Sequence, residues 1–454
     1  MSGRAFDAIV IGAGQAGPPL AGRLTGAGMK VALVERHLAG GTCVNTGCMP
    51  TKTLVASAYA AHLARRTDLG VTAADVRVDF ARVKARADAV SSRAREAVGA
   101  GLEGMAGLSF IRGHACFEAP DQVRVGDETL VAPRIFINVG GRALLPDLPG
   151  AREVPSLNNS TMLALDRLPE HLLIVGGSYV GLEFAQIYRR LGAEVTVIER
   201  NPRLVMREDE EVSEAIRAIL EAEGIAVRTS AECIRLMPGP ALGLDCADGP
   251  PEVSGSHLLL AVGRRPNTDD LGLDKAGVAT DARGYIEVDD GLATNVPGIW
   301  ALGECNGRGA FTHTAYNDFE IVAANLLDGA RHKVGDRIPA YALFIDPPLG
   351  RAGLTEAEAR RSGRRLLVSR RPMSRVGRAI EKGETQGLMK LVADAETKRI
   401  LGAAILGPGG DEAIHGIVDM MHADQPCDVL QWAVPIHPTV SELIPTLVGD
   451  LASA

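Results

Sequence analysis

The feature that most constrains this chain is a supersecondary unit that occurs twice. Asp7 to Ile11 (DAIVI) reads as a short buried strand, and Gly12-Ala13-Gly14-Gln15-Ala16-Gly17 then fits G-x-G-x-x-G. A helical pattern follows, and a second buried strand, Lys30 to Val34, runs into Glu35, 23 residues after Gly12. Each glycine has a physical reason: the first makes the tight turn, the second lets backbone N–H groups approach a pyrophosphate, and the third packs helix on strand. The helix N-terminus offers partial positive charge to the phosphates. A carboxylate at the end of the second strand can accept from ribose hydroxyls.

The second copy runs Leu172 to Val175, then Gly176-Gly177-Ser178-Tyr179-Val180-Gly181, a helix from about Leu182 to Leu191, and a strand from Glu194 to Ile198. It ends at Glu199, again 23 residues after its first glycine. Ser178 stands where the middle glycine stood and is small enough for close backbone approach. Two units of equal spacing predict an α/β chain with two dinucleotide sites, for two different dinucleotides. The expected binding residues are Gly12, Gly14, Gly17 and Glu35 in the first, and Gly176, Gly177, Gly181 and Glu199 in the second.

A length of 454 residues is too great for one ordinary core and implies two or three domains. With aromatics at 4%, that core must be built from Ala, Val, Leu and Ile. The 52 glycines exceed the usual share of about 7% and fit many tight turns or close ligand approach. A net charge of −8 gives no basic footprint, so nucleic acid is not an expected partner. No apolar run reaches the ~18 residues of a membrane span. The N-terminus enters its first strand pattern without the charged and apolar segments of a leader, so a cytoplasmic location is expected. Seven cysteines in such a chain argue against a stapling disulfide framework.

Two of those cysteines stand apart. Gly40-Gly41-Thr42-Cys43-Val44-Asn45-Thr46-Gly47-Cys48-Met49-Pro50-Thr51-Lys52 follows closely on Glu35, and a helix is expected from Lys52 to about Arg66. Cys43 and Cys48 then sit at or just before a helix N-terminus, where a thiol pKa falls. Flanking glycines allow a bent backbone, so the sulfurs could meet. Zinc would need four ligands, and no second Cys or His pair stands nearby, so no metal site is expected. The spacing excludes a thioredoxin-type C-x-x-C, while a pair of core cysteines remains the plainer alternative. Cys116, Cys233, Cys246, Cys305 and Cys427 read as scattered small core or surface residues.

The segment GGTCVNTGCMPTK resembles the active-site segment of the flavoprotein disulfide reductases, the class I pyridine nucleotide-disulfide oxidoreductases that include glutathione reductase, dihydrolipoamide dehydrogenase and mercuric reductase. The resemblance runs over nearly the whole chain. It implies FAD in the first unit and NADH or NADPH in the second. It makes Cys43 the interchange thiol, Cys48 the flavin-facing thiol, Lys52 a neighbour of flavin N5, Glu183 the partner of that lysine, and Tyr179 the ring over the nicotinamide pocket. A bland reading of Tyr179 is a packing residue at a helix start.

Further segments carry the same resemblance. Ile135 to Val139 followed by Gly140-Gly141-Arg142 departs mildly from the family's Ala-Thr-Gly. Gly263-Arg264-Arg265-Pro266-Asn267 is similar to the crossover back to the FAD domain. Glu304, ending Ile299 to Gly303, stands where the family has the aspartate that binds the FAD ribityl chain, and is one methylene longer. Thr312-His313-Thr314-Ala315 should open a helix beneath the isoalloxazine, its N-terminus stabilising negative charge on reduced flavin; His313 could equally be a cap neighbour.

From about Pro339 the chain resembles the family's interface domain, with Thr355 as an N-cap, strands Leu388 to Asp394 and Ile400 to Gly407, and a helix rich in Ile, Val and Met. That implies a homodimer. His437 and Glu442 resemble the family's His-Glu pair, in which the histidine serves the partner subunit's cysteines. A histidine near its usual pKa of ~6.5 can move protons at neutral pH. The implied organisation is two Rossmann-like domains plus a C-terminal α+β dimerisation domain: residues 1–148 and 266–338 for FAD, 149–265 for NAD(P), and 339–454 for the interface.

The implied reaction passes electrons from NAD(P)H through FAD to the Cys43–Cys48 disulfide and on to a small disulfide or related electrophile. Glu199 should accept from an adenosine ribose 2′-OH and repel a 2′-phosphate, which points to NADH; Arg200 and Arg203 keep NADPH open. Mercuric reductases carry a cysteine pair near the C-terminus, whereas this sequence ends in LVGDLASA. Dihydrolipoamide dehydrogenases have the pattern Cys-x-Asn-x-Gly-Cys-Ile-Pro-Ser-Lys, from which Thr46, Met49 and Thr51 set this chain apart. Reductases of hypothiocyanite or reactive-chlorine products share Pro-Thr-Lys, and their oxidants would suit an exposed Cys43. A nucleotide-sensing flavoprotein without turnover is the alternative of a different class.

Overall fold

In the computed structural model of the protein, residues 3–232, 234–244 and 250–453 are described. Cys233 and Cys246 lie outside them. The chain divides into two compact units. One comprises Met1–Thr53, Lys84–Leu144 and Gly263–Arg337, and the other Leu54–Val83, Leu145–Val262 and Ile338–Ala454.

The first unit is built on a parallel sheet of five strands in the order Ile299–Ala301, Ile135–Ile137, Ala8–Ile11, Val31–Glu35 and Leu108–Arg112. Ala8–Ile11 is buried at every position, as an unbroken apolar run requires of a strand covered on both faces. Helices Gly17–Gly26 and Thr312–Leu327 pack on one side, where Leu20, Leu24, Phe136 and Val322 share a core. On the other side a smaller sheet, Arg4–Ala5, Glu128–Val131, Gln122–Val125 and Ala115–Ala119, contributes Phe117 and Leu130 to a second core with Ile9 and Ile137.

The second unit holds the repeat of the motif. Its parallel sheet runs Ala226–Arg228, Glu194–Ile198, His171–Val175 and His257–Leu260. The C-terminal part is a six-stranded sheet, antiparallel at every pairing, in the order Ala340–Leu343, Leu349–Gly353, Ile400–Leu406, Leu388–Asp394, Leu366–Pro372 and Ala452–Ser453. This mixed α/β architecture is the one expected. Thr355 caps helix Glu356–Arg361 through a reciprocal box with Glu358.

One buried cation braces this unit. Lys390, 1% exposed, sits 2.7 Å from Asp209, 2.7 Å from Glu211 and 2.8 Å from Glu356. Burial pushes all three carboxyls up, but the lysine ammonium outweighs it and holds each below its ordinary value.

Candidate redox and dinucleotide site

The two glycine motifs fold alike. Gly12 (φ +107°) and Gly176 (φ +118°) both turn through the left-handed region. A Cβ there would stand 2.2 Å from the Asn138 carbonyl oxygen and 2.3 Å from that of Ala261. At Gly17 and Gly181 a Cβ would come within 2.2 and 2.1 Å of the carbonyl oxygens of Gly12 and Gly176. At Gly14 it would meet only the Asn138 amide at 3.5 Å, an ordinary contact. The protein's own packing therefore does not demand glycine at the middle position, which is why Ser178 can occupy it. What remains to favour glycine at 14 is room for something that is not protein.

The strand-end acids also match. Glu35 accepts from the Ala13 N–H (2.8 Å) and the His37 N–H (2.7 Å). Glu199, 9% exposed, accepts from the Gly177 N–H (2.7 Å), the Asn201 N–H (2.8 Å) and the Asn201 Nδ2 (2.6 Å). Each acid thus ties its strand end to the residue after the first glycine, and its oxygens keep further lone pairs for ribose hydroxyls.

The cysteine segment is set directly on the first glycine loop. Gly40 N–H donates to the Ala13 carbonyl at 2.9 Å. Gly41 (φ +60°) lies so close that a Cβ would stand 2.7 Å from the Gly14 Cα. Cys43 lies within a short helix, Gly41–Thr46, and Cys48 opens a longer one, Cys48–Arg65. The longer helix starts four residues before the expected Lys52, which puts Lys52 one turn along from Cys48. Asn45 braces the intervening turn, donating to the Ala39 (3.0 Å) and Gly41 (2.9 Å) carbonyls and accepting from Arg95 (3.3 Å).

Both thiols are free, and they are hydrogen-bonded to each other. That bond, then burial, raises the Cys43 pKa well above its ordinary value, while Thr312 and the Lys52 charge pull it down. The expected lowering at a helix start is outweighed in this reduced pair, because two adjoining thiols do not both ionise readily. Cys43 is half-buried, where an exposed sulfur would suit hypothiocyanite or reactive-chlorine oxidants. Thr312, first residue of helix Thr312–Leu327, places its hydroxyl 3.2 Å from Cys48 Sγ. His313 stacks on Phe311, ring centroids 5.4 Å apart.

Glu304 is engaged by an arginine. Arg264, from the crossover segment, donates to both carboxylate oxygens at 2.5 and 2.9 Å. A Cβ on Gly141 would fall 2.8 Å from that carboxylate, so the departure at Gly140-Gly141 gives it space. Asp318 fixes the preceding turn, accepting from the Gly303 N–H at 2.8 Å and from Asn306 at 2.9 Å. Gly263 (φ +132°) begins the crossover and accepts from the Leu144 N–H at 3.0 Å.

In the second unit Glu183, 6% exposed, accepts from the Phe344 N–H at 3.1 Å. Tyr179 opens helix Tyr179–Leu191 and meets Tyr341 edge-on at 5.4 Å. Burial pushes its hydroxyl up to about 12. His437 Nδ1 pairs with Glu442 at 2.7 Å, the imidazole 81% exposed and the carboxylate 16%. Trp432, Val434 and Ile436 beside it are also exposed, at 82%, 96% and 80%. An apolar run of that kind around an oriented histidine is suited to cover by another chain.

Sequence reasoning did not reach Asn45, Arg264 as the partner of Glu304, Asp318 or Tyr341. Of these only Asn45, between the two cysteines, carried a local signal.

Comparison with known proteins identifies the family. Residues 6–318 match the family model described as pyridine nucleotide-disulphide oxidoreductase, and residues 339–448 match the dimerisation domain of the same family. The chain is 34% identical over 453 residues to the probable pyridine nucleotide-disulfide oxidoreductase RclA of Escherichia coli, covering 96% of this chain and 97% of that protein. It is 36% identical over 419 residues to a mercuric reductase of Streptomyces lividans, covering 90% and 88%. A solved structure described as a Cu(II) complex of the HOCl-induced flavoprotein disulfide reductase RclA from Escherichia coli matches with a TM-score of 0.88 at 33% identity, over 99% of both chains. Among the described residues no helix is long and apolar enough to cross a membrane.

Proposed function

The chain belongs to the pyridine nucleotide-disulphide oxidoreductase family, and from that premise we propose how its own residues carry the reaction. It is an FAD- and pyridine-nucleotide-dependent oxidoreductase and forms a homodimer through its dimerisation domain. The observation that carries the residue assignment is the hydrogen-bonded Cys43–Cys48 pair seated on the Gly14 loop, within reach of Thr312.

The residues present fit FAD. Gly12, Gly14, Gly17 and the helix N-terminus behind them would take the pyrophosphate, Glu35 a ribose, and Glu304, its charge offset by Arg264, the ribityl side. Lys52, Thr312 and His313 would border the ring system. Bound FAD supplies the hydride acceptance and electron-pair transfer that side chains lack. In the second site Gly176, Gly177 and Gly181 would cradle the nicotinamide dinucleotide, and Tyr179 would cover its reactive end. Glu199 would hold the adenosine ribose. A carboxylate there accepts from a 2′-OH and repels a 2′-phosphate, so NADH is the proposed reductant.

Once reduced, the pair acts by thiol–disulfide exchange. Cys43 as thiolate attacks one sulfur of a small disulfide, and the first substrate thiolate leaves. The Cys48 thiolate then attacks the Cys43 sulfur of the mixed disulfide, releasing the second thiolate and restoring the Cys43–Cys48 bond. His437 of the partner subunit, oriented by Glu442, takes the Cys43 proton and returns it to the departing thiolate. Domain roles follow the same reading: residues 1–148 and 266–338 for FAD, 149–265 for the nicotinamide dinucleotide and 339–454 for the interface, in a cytoplasmic enzyme.

The substrate is proposed to be a small disulfide or a related electrophile such as hypothiocyanite or another reactive-chlorine product, in keeping with the similarity to a reductase described as HOCl-induced. Purified enzyme at fixed NADH, offered lipoamide, glutathione disulfide, Hg(II) and hypothiocyanite in turn, tests this. Turnover with glutathione disulfide or hypothiocyanite exceeding that with Hg(II) and lipoamide is expected. Preference for lipoamide or Hg(II) overturns the substrate assignment, and nucleotide binding without any turnover overturns the enzyme.

A further inference from the structure

Behind Tyr179 lies a buried polar cluster that the proposed chemistry does not use. Tyr341 and Arg351 are direct partners across adjacent antiparallel strands, so their side chains leave the sheet on the same face. The Tyr341 hydroxyl donates to Glu208 Oε1. Glu208, with a fully buried carboxylate, forms an ion pair at 3.7 Å with Arg351, which is 1% exposed. Among the described residues Nη1 and Nη2 of Arg351 and Oε2 of Glu208 have no hydrogen-bond partner.

Such a pair is a poor source of stability. Desolvating two charges is costly, and the loose geometry of this pair recovers little of that cost. Apolar residues of similar volume would serve packing better. What the pair does fix is the direction of the Tyr341 hydroxyl, and with it the ring that meets Tyr179 edge-on at 5.4 Å and 83°. Tyr179 is half-buried at the head of the helix that follows the second glycine loop.

We propose that Glu208 and Arg351, acting through the Tyr341 hydroxyl, are positioning residues that set the Tyr179 ring and thereby the entry and seating of the nicotinamide dinucleotide. This rests on the reading of Tyr179 as the cover of that site. The Tyr341 hydroxyl is held by Glu208 and is itself hydrogen-bonded to Tyr179, so its removal shifts binding about three- to tenfold.

The test uses oxidised holoenzyme titrated with NAD+ by calorimetry, together with stopped-flow reduction of the flavin by NADH and the thermal midpoint. Tyr341→Phe keeps the ring and removes only the hydroxyl. It is expected to weaken NAD+ binding and slow flavin reduction about three- to tenfold, with the re-oxidation of the dithiol by substrate unchanged and the melting temperature a few degrees lower, because the buried Glu208 loses its hydrogen bond. Glu208→Gln still accepts from that hydroxyl and is expected to stay within about twofold of the parent. A loss there equal to that of Tyr341→Phe would assign the effect to the buried charge and overturn the link. Parent-like Tyr341→Phe beside an impaired Tyr179→Ala overturns the inference and leaves the cover standing. A parent-like Tyr179→Ala removes the cover itself, and the inference with it. A Tyr341→Phe enzyme that loses both half-reactions together reduces the cluster to scaffolding and overturns the inference as well.

Discussion

Replacing Thr312 by valine keeps the shape of the side chain and deletes one hydroxyl. That hydroxyl lies 3.2 Å from Cys48 Sγ and also lowers the Cys43 pKa. A hydrogen bond to a charged group is worth about 1.5–3 kcal/mol, and the 3.2 Å length of this contact argues for the lower figure. One pKa unit corresponds to about 1.4 kcal/mol. The hydroxyl favours thiolate, so Thr312→Val should raise the first apparent pKa of the reduced pair by about one unit. Below that pKa the thiolate fraction at fixed pH falls about tenfold. The assay is the rate of iodoacetamide alkylation of the two-electron-reduced enzyme against pH, with the long-wavelength band of the same samples as a second readout. Both profiles should move to higher pH together, while FAD content and melting temperature stay at the parent values. Profiles that superpose on the parent's would refute the role given to Thr312.

Glu199→Ser should narrow the preference for NADH over NADPH by at least about tenfold, read as the ratio of kcat/KM values; an unchanged ratio contradicts the ribose assignment. His437→Gln should lower kcat/KM for a disulfide by about 10²- to 10⁴-fold while NADH still reduces the flavin at the parent rate. Lys390→Met leaves Asp209, Glu211 and Glu356 without their central cation, at a cost of about 3–5 kcal/mol, and should lower the thermal midpoint at pH 7 by several degrees. Because the folded pKa of each of these carboxyls is depressed, the stability they contribute is complete above about pH 4.5. It is lost as the pH falls through the lower folded values, so the deficit of Lys390→Met should shrink in acid. A constant deficit contradicts the network.

Much of the fold was legible because it is written at short range. The glycine loops, their strand-end acids and the cysteine segment each lie within a few dozen residues, and both glycine units adopt the geometry their spacing required. The helix after the cysteines was misplaced by four residues: Pro50 near its start resembles a stop when read alone, yet proline is tolerated in the first turn of a helix. The half-burial of Cys43 is not legible locally, since burial depends on what packs over the sulfur. Arg264 on Glu304, Asp318 on Gly303 and Tyr341 on Glu208 join residues 15 to 133 positions apart. No local pattern announces such partners. The assignment of Leu54–Val83 to the second unit is invisible in sequence for the same reason.

Anaerobic reductive titration of the parent and of Cys48→Ser reaches the centre of the account most directly. The parent should take up one electron pair more than its flavin alone can hold, with a long-wavelength band appearing at the midpoint. Cys48→Ser should accept only the flavin's pair and show no band. Equal uptake by the two proteins would mean that Cys43 and Cys48 are not a redox couple.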